Sequence, residues 1–179
     1  MAKQQHQRRP EKVKSEFEQK TLEIRRVTRV VEGGKRFTFR AAVVIGDLKS
    51  RVALGVAKGA DVALAIEKAT FRAKKDLFAV PITKEGSIPH EVSAKYGSAK
   101  VILKPAAEGR GIIAGGAVRT VCALSGIKHI TGKILNSANK INIARAALAA
   151  LKQLKQPRAQ KKSEVRSPKS EASPENLNA

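Results

Sequence analysis

Apolar and polar positions alternate along Lys35–Ile45, with Phe37, Phe39, Ala41, Val43 and Ile45 on one face and Arg36, Thr38 and Arg40 on the other. The alternation stops near Ala41, where the segment becomes apolar on both sides. With the run Thr21–Glu32 before it and Gly33-Gly34 between, this predicts a β-hairpin whose turn exploits the positive φ open to glycine. A turn over Gly46–Ser50 leads to a third strand, Arg51–Ala57, in which Val52, Leu54 and Val56 alternate with Ala53, Gly55 and Ala57. The period then changes. Val62, Ile66, Ala69, Ala73 and Leu77 recur at helical spacing, predicting a helix over Val62–Leu77 with Asp61 as its N-cap. Three strands and one helix make a small β-β-β-α unit.

A second block opens with a Gly/Pro-punctuated stretch, Lys84–Tyr96. It offers an apolar strand, Ala99–Lys104, closed by Pro105, and a glycine-rich loop from Glu108 to Gly116. A helix over Ala117–Ser125, a strand over Lys128–Leu135 and a helix over Lys140–Leu154 complete it, with Asn139 as the last cap and Ile141, Ala144, Leu148 and Leu151 as the buried stripe. The order strand, loop, helix, strand, helix predicts a βαβ-type two-layer α/β sandwich. The fold class is therefore α+β with two small domains, over 16–83 and 84–155. The polar segments 1–15 and 156–179, the latter with Pro157, Pro168 and Pro174, read as basic disordered tails.

Charge changes the picture most. The chain has 179 residues with 36 Lys+Arg against 15 Asp+Glu, a formal net charge of +21. Between Arg25 and Arg40 six basic residues accompany one acid, Glu32. From Gly109 to Ser163 there are eleven Lys or Arg and no Asp or Glu. Such an excess would repel itself without a counter-charge, which points to a polyanion as partner. Aromatic residues are only 3% of the chain, so recognition of folded RNA by shape and phosphate charge fits better than base stacking on single strands. Phe37 and Phe39 read as core residues first. One cysteine excludes a disulfide framework. No apolar run approaches the roughly 18 residues of a membrane span, and the first residues lack the apolar stretch of a secretory signal, so a cytoplasmic protein is expected.

Catalytic readings fail on their own terms. Gly109-x-Gly111-x-x-Ala114 follows a strand and precedes a helix, as a dinucleotide fingerprint does, but the acid required some 20 residues later is missing. Gly111-x4-Gly116 is followed by Ala117-Val118, so it is no P-loop. The loop offers either backbone N–H groups for a nucleic-acid phosphate or simply a tight turn and close packing. Cys122 reads as a small buried residue, Glu108 as a brace of the loop. His6, His90 and His129 share no metal-ligand spacing. No catalytic residue, metal, cofactor or small-molecule substrate is expected.

Several runs resemble one family. Arg26-Val-Thr-Arg-Val-Val-Glu-Gly-Gly-Lys-Arg-Phe-Thr-Phe-Arg40 with Val44-Ile-Gly-Asp47, then Gly55-x-x-Lys58 and Asp61-Val-x-x-Ala-Ile66, resemble the first domain of the S-five family of bacterial small-subunit ribosomal proteins. Lys104-Pro-Ala-x-Glu-Gly-x-Gly-Ile-Ile-Ala-Gly-Gly-Ala-Val-Arg119 and Asn139-x-Ile-Asn-x-x-Arg-Ala146 resemble its second. The resemblance implies a double-stranded-RNA-binding-like first domain and a second domain that shares an enzyme fold without an active site. It further implies a structural constituent of the small ribosomal subunit at the junction of head and body. Such a protein contacts ribosomal RNA and the neighbouring proteins S-four and S-eight, and supports translational accuracy. The RNA-binding residues then expected are Arg25, Arg26, Arg29, Gly33, Gly34, Lys35, Arg36, Arg51, Lys58, Arg110 and Arg119. Ala53, Ala57, Ala63, Arg110 and Lys140 depart from the family pattern, and the first three make individual contacts near 53–63 less defined. The competing class is a free-standing RNA chaperone or nucleoid-type DNA binder, which carries the same charge without a place on a ribosome.

Overall fold

The computed structural model describes residues 16–155, so both tails lie outside the described residues. Its first sheet runs β1 (Glu18–Val31), β2 (Gly34–Gly46), β3 (Arg51–Gly59) and β4 (Phe78–Ala79) in that spatial order, every pair antiparallel. Helix α1 (Val62–Lys75) crosses one face. The second sheet has the order β5-β6-β8-β7, from β5 (Val92–Tyr96), β6 (Ala99–Pro105), β7 (Ile112–Ile113) and β8 (Ile130–Leu135). Helix α2 (Gly116–Leu124) connects β7 to the parallel β8 as a βαβ unit whose first strand is β7, inside the expected glycine-rich loop, and not the expected strand Ala99–Lys104, which as β6 pairs antiparallel with β8; α3 (Lys140–Gln153) follows.

The two halves stack as four layers: α1, the first sheet, the α2/α3 pair, the second sheet. Ala41, Val43, Ile45, Ala53 and Ala57 meet Ala65, Ala69 and Ala73 of α1. Val44 and Val52, on the reverse face, belong to the larger core that contains Val118, Val121, Leu124 and Leu151. The stretch of β2 that is apolar on both sides is thus a sheet covered twice. Close approach sets the spacing. A Cβ on Gly55 would lie 1.9 Å from the Ala69 carbonyl oxygen, and one on Gly46 2.1 Å from that of Leu124.

Several local features differ from the sequence expectation. Asp61 occupies the N-cap of α1 without a side-chain hydrogen bond, whereas Asn139 Oδ1 accepts from the Ile141 N–H at 3.2 Å. Alanines form most of the α1 stripe, and Phe71 is left exposed. Strand β5 forms inside the Gly/Pro-punctuated stretch, because its Val92 and Ala94 complete the face under α3. The hairpin turn is Glu32-Gly33, with φ of 79° at Gly33, and Gly34 is already the first residue of β2.

Candidate nucleic-acid interface

Strands β1 and β2 outrun the sheet. Strand β3 pairs with β2 only from Phe39 to Gly46, so the segment from Val27–Thr38 to Val31–Gly34 is a two-stranded arm with no third strand beside it. Register sorts its cations by face, since directly opposed residues project to the same side. Arg29 lies opposite Arg36, and Arg25 opposite Arg40, which in turn lies opposite Lys58 of β3. Five cations therefore share one face, in rows of two and three separated by about 14 Å along the strand. Like charges directly opposed in a sheet cost stability, and only Arg25 has a carboxylate among the described residues, Glu23 at 2.8 Å. The other oxygen of Glu23 is buried without a partner there.

Arg26 and Lys35 project from the opposite face of the arm. The guanidinium carbon of Arg26 sits 3.9 Å from the centroid of Phe37, a cation–π stack. Phe37 is 46% exposed, so the expectation of a core role holds for Phe39, which packs under α1, and fails for Phe37. The arm has no layer beneath it to bury that ring. Arg40 belongs to the basic run Arg25–Arg40 but not to the RNA-binding residues expected from the sequence. Pairing register is the signal that places it between Arg25 and Lys58.

Arg51 belongs elsewhere. It stands at the far end of β3, where its Nε donates to Asp47 Oδ2 at 2.8 Å. Asp47 Oδ1 accepts the N–H groups of Lys49, Ser50 and Arg51 at 3.0, 3.0 and 2.8 Å. Burial pushes the Asp47 carboxyl up, but these bonds and the Arg51 guanidinium outweigh it and hold its pKa far below the usual carboxylate range. A depressed folded-state pKa gives stability that is present above the unfolded value of about 3.9 and lost as pH falls below it. Asp47→Ala should accordingly cost about 2 kcal/mol at pH 7. The gap between variant and parent, followed by thermal melts from pH 7 to pH 2, should close as the pH falls through 4 and below. A gap independent of pH would refute the assignment.

The glycine loop forms a second basic group. Gly109 and Gly111 take φ of 83° and 70°, turning the chain into β7. Glu108 is exposed and makes no bracing contact; the brace is His129, whose Nδ1 accepts the Gly111 N–H at 3.2 Å. Arg110 is exposed on the loop. Arg119, on α2, lines a surface hollow of about 410 Å³ with Ile113, Gly115 and Lys133. Cys122 is fully buried, and burial pushes its thiol up to about 12, which leaves no thiolate for chemistry at neutral pH. Among the described residues no three His, Cys, Asp or Glu side chains converge as metal ligands, and no helix is long and apolar enough to cross a membrane.

Two family models match, described as ribosomal protein S5, N-terminal domain, over residues 17–81, and ribosomal protein S5, C-terminal domain, over residues 94–164. The chain is 50% identical over 133 residues to small ribosomal subunit protein uS5c of Rhodomonas salina, covering 74% of this chain and 79% of that one. It is 47% identical over 141 residues to small ribosomal subunit protein uS5 of Nostoc punctiforme, with 79% and 81% covered. For uS5 of Gloeobacter violaceus the figures are 51% over 133 residues, 74% and 60%. The two family matches take in the arginine arm and the glycine loop, and the chain belongs to the ribosomal protein S5 family.

Proposed function

We propose that this protein is a structural constituent of the small ribosomal subunit that binds ribosomal RNA at the junction of head and body and supports translational accuracy there. The family is structural and non-enzymatic, and its named relatives are small-subunit proteins. The observation that carries RNA binding is the arm: Arg29 and Arg36, directly opposed and without a carboxylate among the described residues, stand on an unsupported two-stranded projection, which is costly in the free protein and favourable against phosphate. Guanidinium groups fork onto phosphate oxygens, so Arg29, Arg36 and Arg40 are the leading contacts, with Lys58 beside them. Arg25 contributes less because Glu23 already holds it. Arg26 and Lys35 serve the other face, Gly33 and Gly34 let the tip enter a narrow space, and Arg110 and Arg119 form a separate contact at the glycine loop. Arg51 drops to a structural role in the Asp47 turn.

On this reading 16–83 is the RNA-binding-like domain and 84–155 the second domain, with 1–15 and 156–179 as basic tails. S-four and S-eight are its protein neighbours and cytoplasmic ribosomes its location. Sedimentation of a native lysate tests the assignment. About one copy per small subunit, retained at about 0.5 M salt, where binding through phosphate charge alone weakens steeply, is the expected result. Migration near the top of the gradient, or stripping at modest salt, would overturn it in favour of a free RNA chaperone or nucleoid-type binder.

A further inference from the structure

The outer face of the second sheet is the last of the four layers, and no element among the described residues covers it. Helices α2 and α3 take the other face, where Ala94, Val101, Leu103 and Ile130 are buried. On the open face Lys95 of β5 lies directly opposite Lys100 of β6, and Lys133 of β8 lies opposite Ile102 of β6. Lys104 continues the row along β6 and is held by Glu91 at 3.3 Å. Three of the four lysines therefore sit on the two central strands, β6 and β8, rather than on the edge.

We propose that this lysine face is a further RNA-binding surface, separate from the arm and joined through Lys133 to the Arg119 hollow, that takes the phosphate backbone of a double-stranded segment. The inference rests on the reading of the protein as an RNA binder and extends its attachment from the glycine loop across the second sheet. Opposed Lys95 and Lys100 repel in the free sheet and gain from a shared anionic partner. Lysine is depleted from the centres of protein–protein interfaces, where aromatic residues and arginine are enriched; here lysine occupies the centre and no aromatic ring does. The absence of a ring also removes base stacking, so a backbone reader is what remains. The arm lies on the first sheet, and a helical layer of roughly 10 Å on each side separates the two sheets. Two RNA segments can then be held at once, which makes the protein a bridge between them.

The test uses the full chain and a random-sequence RNA duplex of about 20 base pairs, titrated at several salt concentrations. Replacing Lys95, Lys100 and Lys133 together by glutamine should reduce the slope of log K against log salt by about 2–3, at 0.7–0.9 per phosphate contact. The reduction should be additive with that of the arm variant described below, because the sites are distant. Wild type should carry two duplexes and each variant one. An unchanged slope and unchanged stoichiometry in the folded lysine variant would overturn the second site while leaving the arm intact. So would the variant's keeping RNA affinity but losing an acidic protein neighbour. Failure of the wild-type chain to bind any RNA would instead sink the function proposed above.

Discussion

Replacing Arg25, Arg29, Arg36 and Arg40 together by alanine is expected to lower the salt slope of binding to small-subunit ribosomal RNA by about 3 units. Each phosphate contact contributes about 0.7–0.9, and Arg25 counts for less than the others because of Glu23. At 0.1 M salt that corresponds to a loss of affinity on the order of 1,000-fold. Stability of the free protein should change little: two like-charged opposed pairs disappear, Arg29–Arg36 on the arm and Arg25–Arg40 at its base, while loss of Arg25 leaves the largely buried Glu23 carboxylate unpaired. That combination separates a binding role from a folding role: a surface that merely solvates the sheet would leave affinity unchanged, and a structural one would lower the melting temperature. Quantitative filter binding between 50 and 400 mM salt, with thermal melts of the same samples, reads both. Arg26→Ala should act differently. It unstacks the cation from Phe37 and leaves the arginine rows intact, so its effect on the slope should stay near one unit or below.

The second large effect concerns the layers. Gly55→Ala puts a methyl group 1.9 Å from the Ala69 carbonyl oxygen and forces α1 off the first sheet. Gly46→Ala does the same 2.1 Å from the Leu124 carbonyl oxygen, between the first sheet and α2. Both opposing atoms are backbone, so no side-chain rotation relieves the contact. Each substitution should cost about 3 kcal/mol or more, roughly 6–12 °C in melting temperature for a chain of this size. Gly34→Ala is the control: nothing lies within 4 Å of a Cβ there, and the change should stay within about 0.5 kcal/mol. If Gly46→Ala were as mild as Gly34→Ala, the first sheet would not pack on α2 as described. The Gly46 result is the more informative, because it reports on the packing of one half of the protein against the other. An α1 contact follows from the β-β-β-α order alone.

How much of this was legible beforehand depends on whether a feature is local. The hairpin, the third strand and the three helices follow from the 2.0 and 3.6 periods, with ends displaced by up to three residues. Asn139 as a cap and Gly126 as the stop of α2, at φ of 84°, are written in a few adjacent residues. The basic charge, the missing carboxylates and the expectation of a polyanionic partner need no coordinates. Strands β4 and β7, two residues each, carry no period of their own and exist because a neighbouring strand offers partners.

The sequence by itself determined the α+β class, the order of elements, the basic arm and the absence of a catalytic constellation, because each is a property of composition or of neighbours along the chain. Tertiary structure alone decided which cations lie together. Pairing register put Arg40 between Arg25 and Lys58, sent Arg26 to the opposite face and drew Arg51 into the Asp47 turn. It also decided the four-layer stack and the bare lysine face of the second sheet. Those depend on residues far apart in the chain whose proximity is fixed by burial of both faces of β2, and no local pattern records a distance across a core.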